Sequence, residues 1–266
     1  MSRRIIMYYP ILHNFLKEQA TDKPFTAFSI YHIIYLAIVI LLPILTILLF
    51  RKKEQAVKEK VIKTFAAIPF ALYMLDFMIM PFSYGYIDAD KLPFHSCTLL
   101  SILIFVACNG KFLRKFRVNF AMIAIFSDLM YVAYPSGVID GNPLSYRVNQ
   151  TLLFHSLMIV SGIIILAFDE EGPRFKKCYR DPIILTCMSI WALIGNALYS
   201  TESACECCGY NRSFNWFFVK ADPLGIFSEP TSHYIMPWLN IIVFFILGLI
   251  IYGIFALIRH SKKKKA

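Results

Sequence analysis

A histidine and a cysteine, His95 and Cys97, stand at the start of a long apolar run, in the segment KLPFHSC of residues 91–97. A thiolate is a strong nucleophile and an imidazole is a common general base, so these residue types can perform acyl transfer through a covalent intermediate. An ionisable group inside a membrane-spanning segment costs free energy and by default marks a functional site. The segment therefore makes Cys97 a candidate nucleophile.

A second histidine, His155, is the better candidate for the base that activates Cys97. Residues i and i+2 of a helix point to different faces, so His95 and Cys97 are not expected to meet. Pro93 suits the first turn of a helix that begins near Leu92, and His155 lies at a matching depth in another apolar run. Desolvation disfavours a thiolate, so a thiol in apolar surroundings needs such a partner in order to react. A small cysteine that only fills space in a core is the alternative interpretation.

The elements that must position these residues are seven apolar runs, and a bilayer crossing needs about 20 residues at a rise of 1.5 Å each. Their predicted bounds are 28–50, 62–84, 92–109, 118–134, 148–168, 182–200 and 234–259. Because 58% of the 266 residues are hydrophobic, a soluble domain is excluded. The predicted fold is all-α, a polytopic membrane helix bundle of about seven transmembrane helices over residues 28–260. A leader, residues 1–27, precedes it and a basic tail, residues 261–266, follows it.

Basic residues predict the orientation of the bundle, because cytoplasmic loops are enriched in Lys and Arg. Most of them lie in the loops after the first, third and fifth spans and in the C-terminal tail. This distribution predicts an outside N-terminus and a cytoplasmic C-terminus, in the cell membrane or, in a eukaryotic host, the endoplasmic reticulum. A net charge of +10 that resides in such loops indicates attraction to lipid headgroups, and no nucleic acid partner is expected.

Polar residues of the other six spans fall at one shallow depth on the predicted outer side. They are His32, Asp76, Asp128, His155, Asn196 and Asn240. Cys97 lies about 8 Å and His155 about 10 Å below the outer boundary at 1.5 Å per residue, whereas the inner halves of the spans are nearly all apolar. The layer predicts a water-accessible cavity that opens outward. Separate hydrogen bonds between neighbouring helices are the alternative for each residue.

The order and spacing of several short motifs resemble the YwaF-like family of seven-span membrane proteins, which includes transmembrane protein 164. The matching residues are Leu92, Pro93, His95 and Cys97 before and in the third span, His155 in the fifth, Asn215, Phe217 and Pro223 after the sixth, and Pro237 and Trp238 in the seventh. The chain departs from the family at Trp216, where tyrosine is usual, and at Ser156, where glycine is common. The segment ESACECCGYNRS looks like an insertion.

The resemblance implies a lipid acyltransferase in which Cys97 is the nucleophile and His155 its partner. A fatty acyl chain would pass from a phospholipid to Cys97 as a thioester and then to a lysophospholipid, so these lipids are the expected partners. Asn196 or Asn240 would stabilise the oxyanion. Further supporting or substrate-binding candidates are His95, Asp76, Asp128 and Asn215. A thioester needs no ATP, and the chain has no nucleotide-binding fingerprint, so neither a cofactor nor a metal is expected.

Three other functions stay open at this stage. A metal-dependent intramembrane hydrolase could draw ligands from His32, His95, His155, His233, Asp76 and Asp128, although no two of these histidines have i, i+4 spacing on one helix. A transporter could use the two aspartates as cation sites, although no two-half symmetry is visible. A non-catalytic scaffold would use the polar layer only for helix packing.

Two segments outside the spans have less specific patterns. The leader has an apolar stripe, Ile5, Tyr8, Tyr9, Leu12 and Leu16, which is typical of an interfacial helix; a flexible polar leader is the alternative. The cysteines Cys205, Cys207 and Cys208 fit an unpaired surface cluster better than a disulfide or a zinc site. Lipid-facing and partner-facing apolar surfaces look alike in sequence, so no oligomeric state is predicted.

Overall fold

The structure is a computed structural model that describes residues 21–84, 91–199, 215–220, 222 and 225–265. These residues form seven α-helices and no strand. The helices are α1 (Ile30–Phe50), α2 (Gln55–Tyr84), α3 (Ser96–Asn109), α4 (Arg117–Ala133), α5 (Tyr146–Phe168), α6 (Arg180–Tyr199) and α7 (Glu229–Lys265). The leader stripe, the cluster Cys205, Cys207 and Cys208, and Pro223 lie outside the described residues.

Six of these helices are long and apolar enough to cross a membrane, and α3 is a shorter apolar helix. The prediction of an all-α bundle with seven helices is therefore confirmed. Helix α7 continues to Lys265, so the described part of the predicted tail extends this helix. Consecutive helices run in opposite directions. The end at which α1, α3, α5 and α7 begin is here named the site face, and the opposite end is named the basic face. Which face lies outside the membrane stays a prediction.

Helix α5 lies at the centre of the bundle and packs against α1, α2, α3 and α4. Its contact with α4 is especially close, because a Cβ atom on Gly162 would lie 2.6 Å from Ile125 Cγ1 and 2.8 Å from the carbonyl oxygen of Ala121. Small residues at such a crossing allow two helix backbones to approach each other in a membrane. The crossing fixes the relative height of α4 and α5.

The third helix begins later than the sequence predicted, at Ser96 instead of near Leu92. The prediction that Pro93 lies in its first turn was wrong, because other helices hold residues 91–95 in a non-helical turn. Trp191 of α6 donates to the carbonyl oxygen of Pro93 at 2.7 Å, and Tyr73 of α2 donates to that of Lys91 at 2.9 Å. These two bonds tie the turn to α2 and α6.

The ring of Phe94 anchors this turn in the bundle. It is 7% exposed and lies between the rings of Trp191 and Trp216, with centroid distances of 5.0 and 4.8 Å. A Cβ atom on Gly195 would lie only 2.3 Å from the Phe94 ring, so a glycine is needed at this contact. The turn and the start of α3 are therefore fixed by aromatic packing.

Candidate active site

Three reactive side chains converge at the site face: Cys97 from α3, Asp128 from α4 and His155 from α5. The Sγ atom of Cys97, a ring nitrogen of His155 and a carboxylate oxygen of Asp128 all lie within 4.8 Å of one another. His155 Nδ1 and Asp128 Oδ1 are 2.5 Å apart. This arrangement has the parts of a nucleophile, a base and a group that orients the base.

The close crossing of α4 and α5 places two of these residues opposite each other. His155 precedes Gly162 by seven residues, and Asp128 follows Ala121 by seven residues. Seven residues are about two helical turns, so each side chain lies on the same helix face as its crossing residue and about 10 Å nearer the site face. The two helices run in opposite directions, so both side chains lie at the same height above the crossing, on the side of the site face.

A hydrogen bond between α3 and α4 brings the thiol to the same level. The hydroxyl groups of Ser96 and Ser127, which directly precede Cys97 and Asp128, are 2.6 Å apart. Together with the Phe94 anchor, this bond fixes the first turn of α3 beside α4. The position of the thiol is thus set by contacts with two other helices.

Two aromatic rings fix the plane of His155. Tyr131 stacks on it with a centroid distance of 4.0 Å and an interplanar angle of 21°, and Phe154 meets it edge-on at 5.2 Å. The hydroxyl of Tyr131 packs on the next loop, since a Cβ atom on Gly137 would lie 2.9 Å from it. With Asp128 at Nδ1, the imidazole has Nε2 available for a proton from another group.

The burial of the three side chains differs in a way that suits nucleophilic attack. Asp128 is 0% exposed and His155 is 8% exposed, whereas Cys97 is only partly buried. Cys97 is also the second residue of α3, where the helix dipole favours negative charge. The base is therefore shielded from water while the thiol stays accessible.

A sequence model of the TMEM164 family matches residues 27–259, which is most of the chain. The chain belongs to this family. No curated protein and no solved structure shows significant similarity to it. Membership in the TMEM164 family agrees with the seven-helix bundle and with the family resemblance noted in the sequence.

The asparagines that the sequence singled out in this TMEM164-family chain do not join the three-residue cluster. The Asn196 side chain bonds both backbone groups of Trp216, and the Asn240 amide donates to the carbonyl oxygen of Phe217 at 2.7 Å. Asn215 accepts from the backbone N–H of Lys220 at 2.9 Å. All three hold the loop 215–220, and their oxyanion or substrate-binding roles stay predictions.

This loop needs such support because its backbone is strained. Phe217 and Phe218 both have positive φ values, 55° and 50°, in a region that bulky residues rarely adopt. Trp216 is 0% exposed and lies against Phe94 and edge-on to His95 at 6.4 Å. The loop thus supports the turn before α3. His95 is the N-cap residue of α3, and its side chain makes no capping hydrogen bond to this helix.

The remaining polar residues of the predicted layer connect helices. Asp76 forms an ion pair with Lys91 at 2.9 Å. His32 Nδ1 accepts from the backbone N–H of Phe28 at 2.9 Å, so its Nε2 carries the proton and donates to the carbonyl oxygen of Val132 at 2.6 Å. This bond ties α1 to α4.

The potential metal ligands also belong to several separate contacts between helices. Within the described part of the chain, the one group of three or more metal-binding side chains is Cys97, Asp128 and His155. His32 has two backbone partners, Asp76 has Lys91, and His233 is exposed. The six-residue ligand set considered from the sequence is therefore not assembled.

Sequence reasoning missed Tyr131, Ser96 and Ser127, whose contacts orient the cluster, although it named Asp128 as a supporting candidate. Tyr131 and Asp128 have i, i+3 spacing on α4 and thus share a face, so this spacing could have indicated the pair. The bond between Ser96 and Ser127 joins two helices, and no local pattern reveals it.

Proposed function

We propose that this membrane protein is a lipid acyltransferase of the transacylase type, with Cys97 as the nucleophile, His155 as the base and Asp128 as the residue that positions the base. The observation that carries the proposal is the 2.5 Å contact between His155 Nδ1 and Asp128 Oδ1 beside the accessible thiol. The orientation that goes with it is a site face on the outer side of a cell membrane or on the lumenal side of the endoplasmic reticulum.

In the first half-reaction, His155 Nε2 takes the proton of the Cys97 thiol while its Nδ1–H donates to Asp128. The thiolate sulfur attacks the carbonyl carbon of a phospholipid acyl ester and forms a tetrahedral oxyanion. The C–O bond to the glycerol then breaks, and His155 returns the proton to the departing lysophospholipid oxygen. The products are a thioester on Cys97 and a lysophospholipid.

In the second half-reaction, a different lysophospholipid binds. His155 takes the proton of its hydroxyl group, the oxygen attacks the thioester carbonyl, and the C–S bond breaks. The sulfur recovers the proton from His155. Because a thioester keeps the acyl group reactive, the exchange needs no nucleotide.

The oxyanion needs hydrogen-bond donors in both steps, and the first turn of α3 supplies suitable ones. Backbone N–H groups at the start of a helix lack intrahelical partners and point along the axis toward negative charge. Cys97 is in this turn, whereas Asn196 and Asn240 already bind the loop 215–220. We therefore assign the oxyanion donors to the backbone N–H groups at the start of α3, in preference to the side-chain amides of the two asparagines.

The test is a search for the thioester itself. The purified full chain is reconstituted in lipid that carries an isotope-labelled acyl chain and is analysed by intact mass spectrometry. We expect a hydroxylamine-sensitive acyl adduct that Cys97→Ala removes and that Cys187→Ala, which changes an exposed cysteine on α6, retains. Acyl transfer that proceeds at the wild-type rate in Cys97→Ala would refute the mechanism.

A metal-dependent hydrolase is the second candidate, since the cluster offers sulfur, nitrogen and oxygen donors within 4.8 Å. The Asp128–His155 contact disfavours it. A metal on His155 Nδ1 would have to break this hydrogen bond, and a metal on Nε2 would leave Asp128 outside the coordination shell. One stoichiometric zinc ion in active protein, with hydrolysis that a chelator abolishes, would instead favour the hydrolase.

A further inference from the structure

A pocket of about 380 Å³ opens at the basic face, opposite to the candidate active site. Its floor is formed by Arg117, Asn119, Asp169 and Tyr252, and its rim by basic residues of the loops before α4 and before α6. The volume lies within the range of small-molecule sites. The proposed acyl transfer does not use this pocket.

The floor of the pocket contains an ion network. Arg117 is 3% exposed, donates through NH1 to Glu59 of α2 at 2.6 Å, and also pairs with Asp169, which directly follows α5. Arg114 approaches the same Glu59 at 3.4 Å. These pairs join three helices and neutralise the charge of the floor.

The rim, in contrast, has more positive than negative charge. Lys177 pairs with Glu171, whereas the side chain of Lys111 has no partner among the described residues. Lys115 lies over a phenylalanine ring, and Arg174 donates to the backbone carbonyl oxygen of Glu171. Among the described residues that line the pocket, one carboxylate, that of Glu170, remains beside these three cations. An anion is therefore the ligand that this rim favours.

Exposed aromatic side chains place the rim at the boundary between lipid and water. Phe112 is 82% exposed between Lys111 and Leu113, and Phe175 and Tyr179 are 55% and 57% exposed beside the opposite rim. Aromatic residues at span ends typically lie at headgroup depth. The phosphate groups of lipids lie at this same depth, next to the pocket.

We propose that this pocket binds a phosphate group, and that an anionic phospholipid headgroup supplies it. The rim cations Lys111, Lys115 and Arg174 contact the phosphate, and the buried network of Arg117 keeps the floor open and rigid. A soluble phosphate compound is the other source of the same chemistry. The proposal is independent of the acyltransferase assignment.

The test compares two double variants of the full chain at the same face. Lys111→Gln with Lys115→Gln removes two rim charges, and Lys52→Gln with Lys53→Gln removes two exposed charges in the loop before α2, outside the pocket. Retention of phosphatidylglycerol and of phosphatidylcholine is measured by native mass spectrometry, with inorganic phosphate as competitor. Wild-type protein should retain phosphatidylglycerol preferentially.

The rim variant should weaken phosphatidylglycerol retention about fivefold per charge, as expected for basic residues near an anionic surface, while the control variant keeps wild-type retention. If inorganic phosphate displaces the lipid, and the rim variant binds this phosphate about as weakly as it binds the lipid, the pocket is still a phosphate site. Its ligand would then be a soluble phosphate compound and not a lipid headgroup. Equal losses in both double variants would mean diffuse attraction to the face and would overturn the proposal. Equal retention of both lipids by wild-type protein would also overturn it.

Discussion

Replacement of Asp128 by asparagine tests the proposed active site most directly. The side chain keeps its size, so the buried position stays filled. The introduced amide can donate its N–H to His155 Nδ1, which moves the imidazole proton to Nε2 and prevents this nitrogen from accepting the thiol proton. General base catalysis contributes about 10²–10⁴-fold, so the rate of thioester formation should fall by about this factor at neutral pH.

The assay is single-turnover acylation of Cys97, followed by intact mass spectrometry across a range of pH. The wild-type protein, in which His155 takes the thiol proton, should already be acylated rapidly at neutral pH. Without a functional base, Asp128→Asn depends on the small fraction of thiolate, which grows with pH, so a higher pH should raise its rate by a larger factor than the wild-type rate.

Asp76→Asn is the matched control, because it removes another buried carboxylate at the site face that pairs with Lys91. We expect its acylation rate to stay within about threefold of the wild-type rate, since Asp76 pairs with Lys91 and is not part of the cluster of Cys97, Asp128 and His155. Equal rates and identical pH profiles for Asp128→Asn and wild type would refute a positioning role of Asp128.

Three further changes test the packing that orients the site. Tyr131→Leu removes the ring that stacks on His155 and should lower the acylation rate severalfold, while Tyr131→Phe should keep it; equal rates in both variants would contradict the stacking role. Gly195→Ala forces the Phe94 ring to move and should destabilise the protein by about 1–3 kcal/mol, measured by thermal unfolding in detergent, with recovery when Phe94→Leu is added. Gly162→Ala should separate α4 from α5 and lower the acylation rate at unchanged expression; a wild-type rate would contradict the crossing argument.

The fold was predictable from the sequence, because it follows from the length and order of apolar runs. The sequence could not predict how each helix is rotated about its axis. In a membrane, lipid-facing and bundle-facing surfaces are both apolar, so the pattern does not reveal which polar groups meet. Asp128 and Asn196 looked equivalent by depth, yet one contacts His155 and the other holds Trp216.

The contacts of the turn 91–95 were equally invisible in the sequence. Pro93 is compatible with the start of a helix, and the local pattern predicted one. The side chains of Trp191 and Tyr73 come from other helices and take backbone acceptors of this turn. Tertiary hydrogen bonds therefore overrode a local preference, and the start of α3 moved to Ser96.

This later start has a consequence for the depth of the nucleophile. Helix α3 has 14 residues and is thus about 21 Å long, whereas the hydrocarbon core of a bilayer is about 30 Å thick. Its last residue, Asn109, directly precedes the basic loop that begins at Gly110 and Lys111, so α3 ends at the boundary of the basic face. If this end lies at the boundary, the first turn of α3 lies about 9 Å inside the other boundary. Cys97 then lies among the acyl chains, below the boundary at which the ester groups lie. The ester of a bound lipid therefore has to enter the bundle to reach Cys97, and an acyl group on its sulfur keeps its chain in hydrocarbon throughout the exchange. We infer that the shortness of α3, which the turn 91–95 makes possible, sets the depth of the reaction.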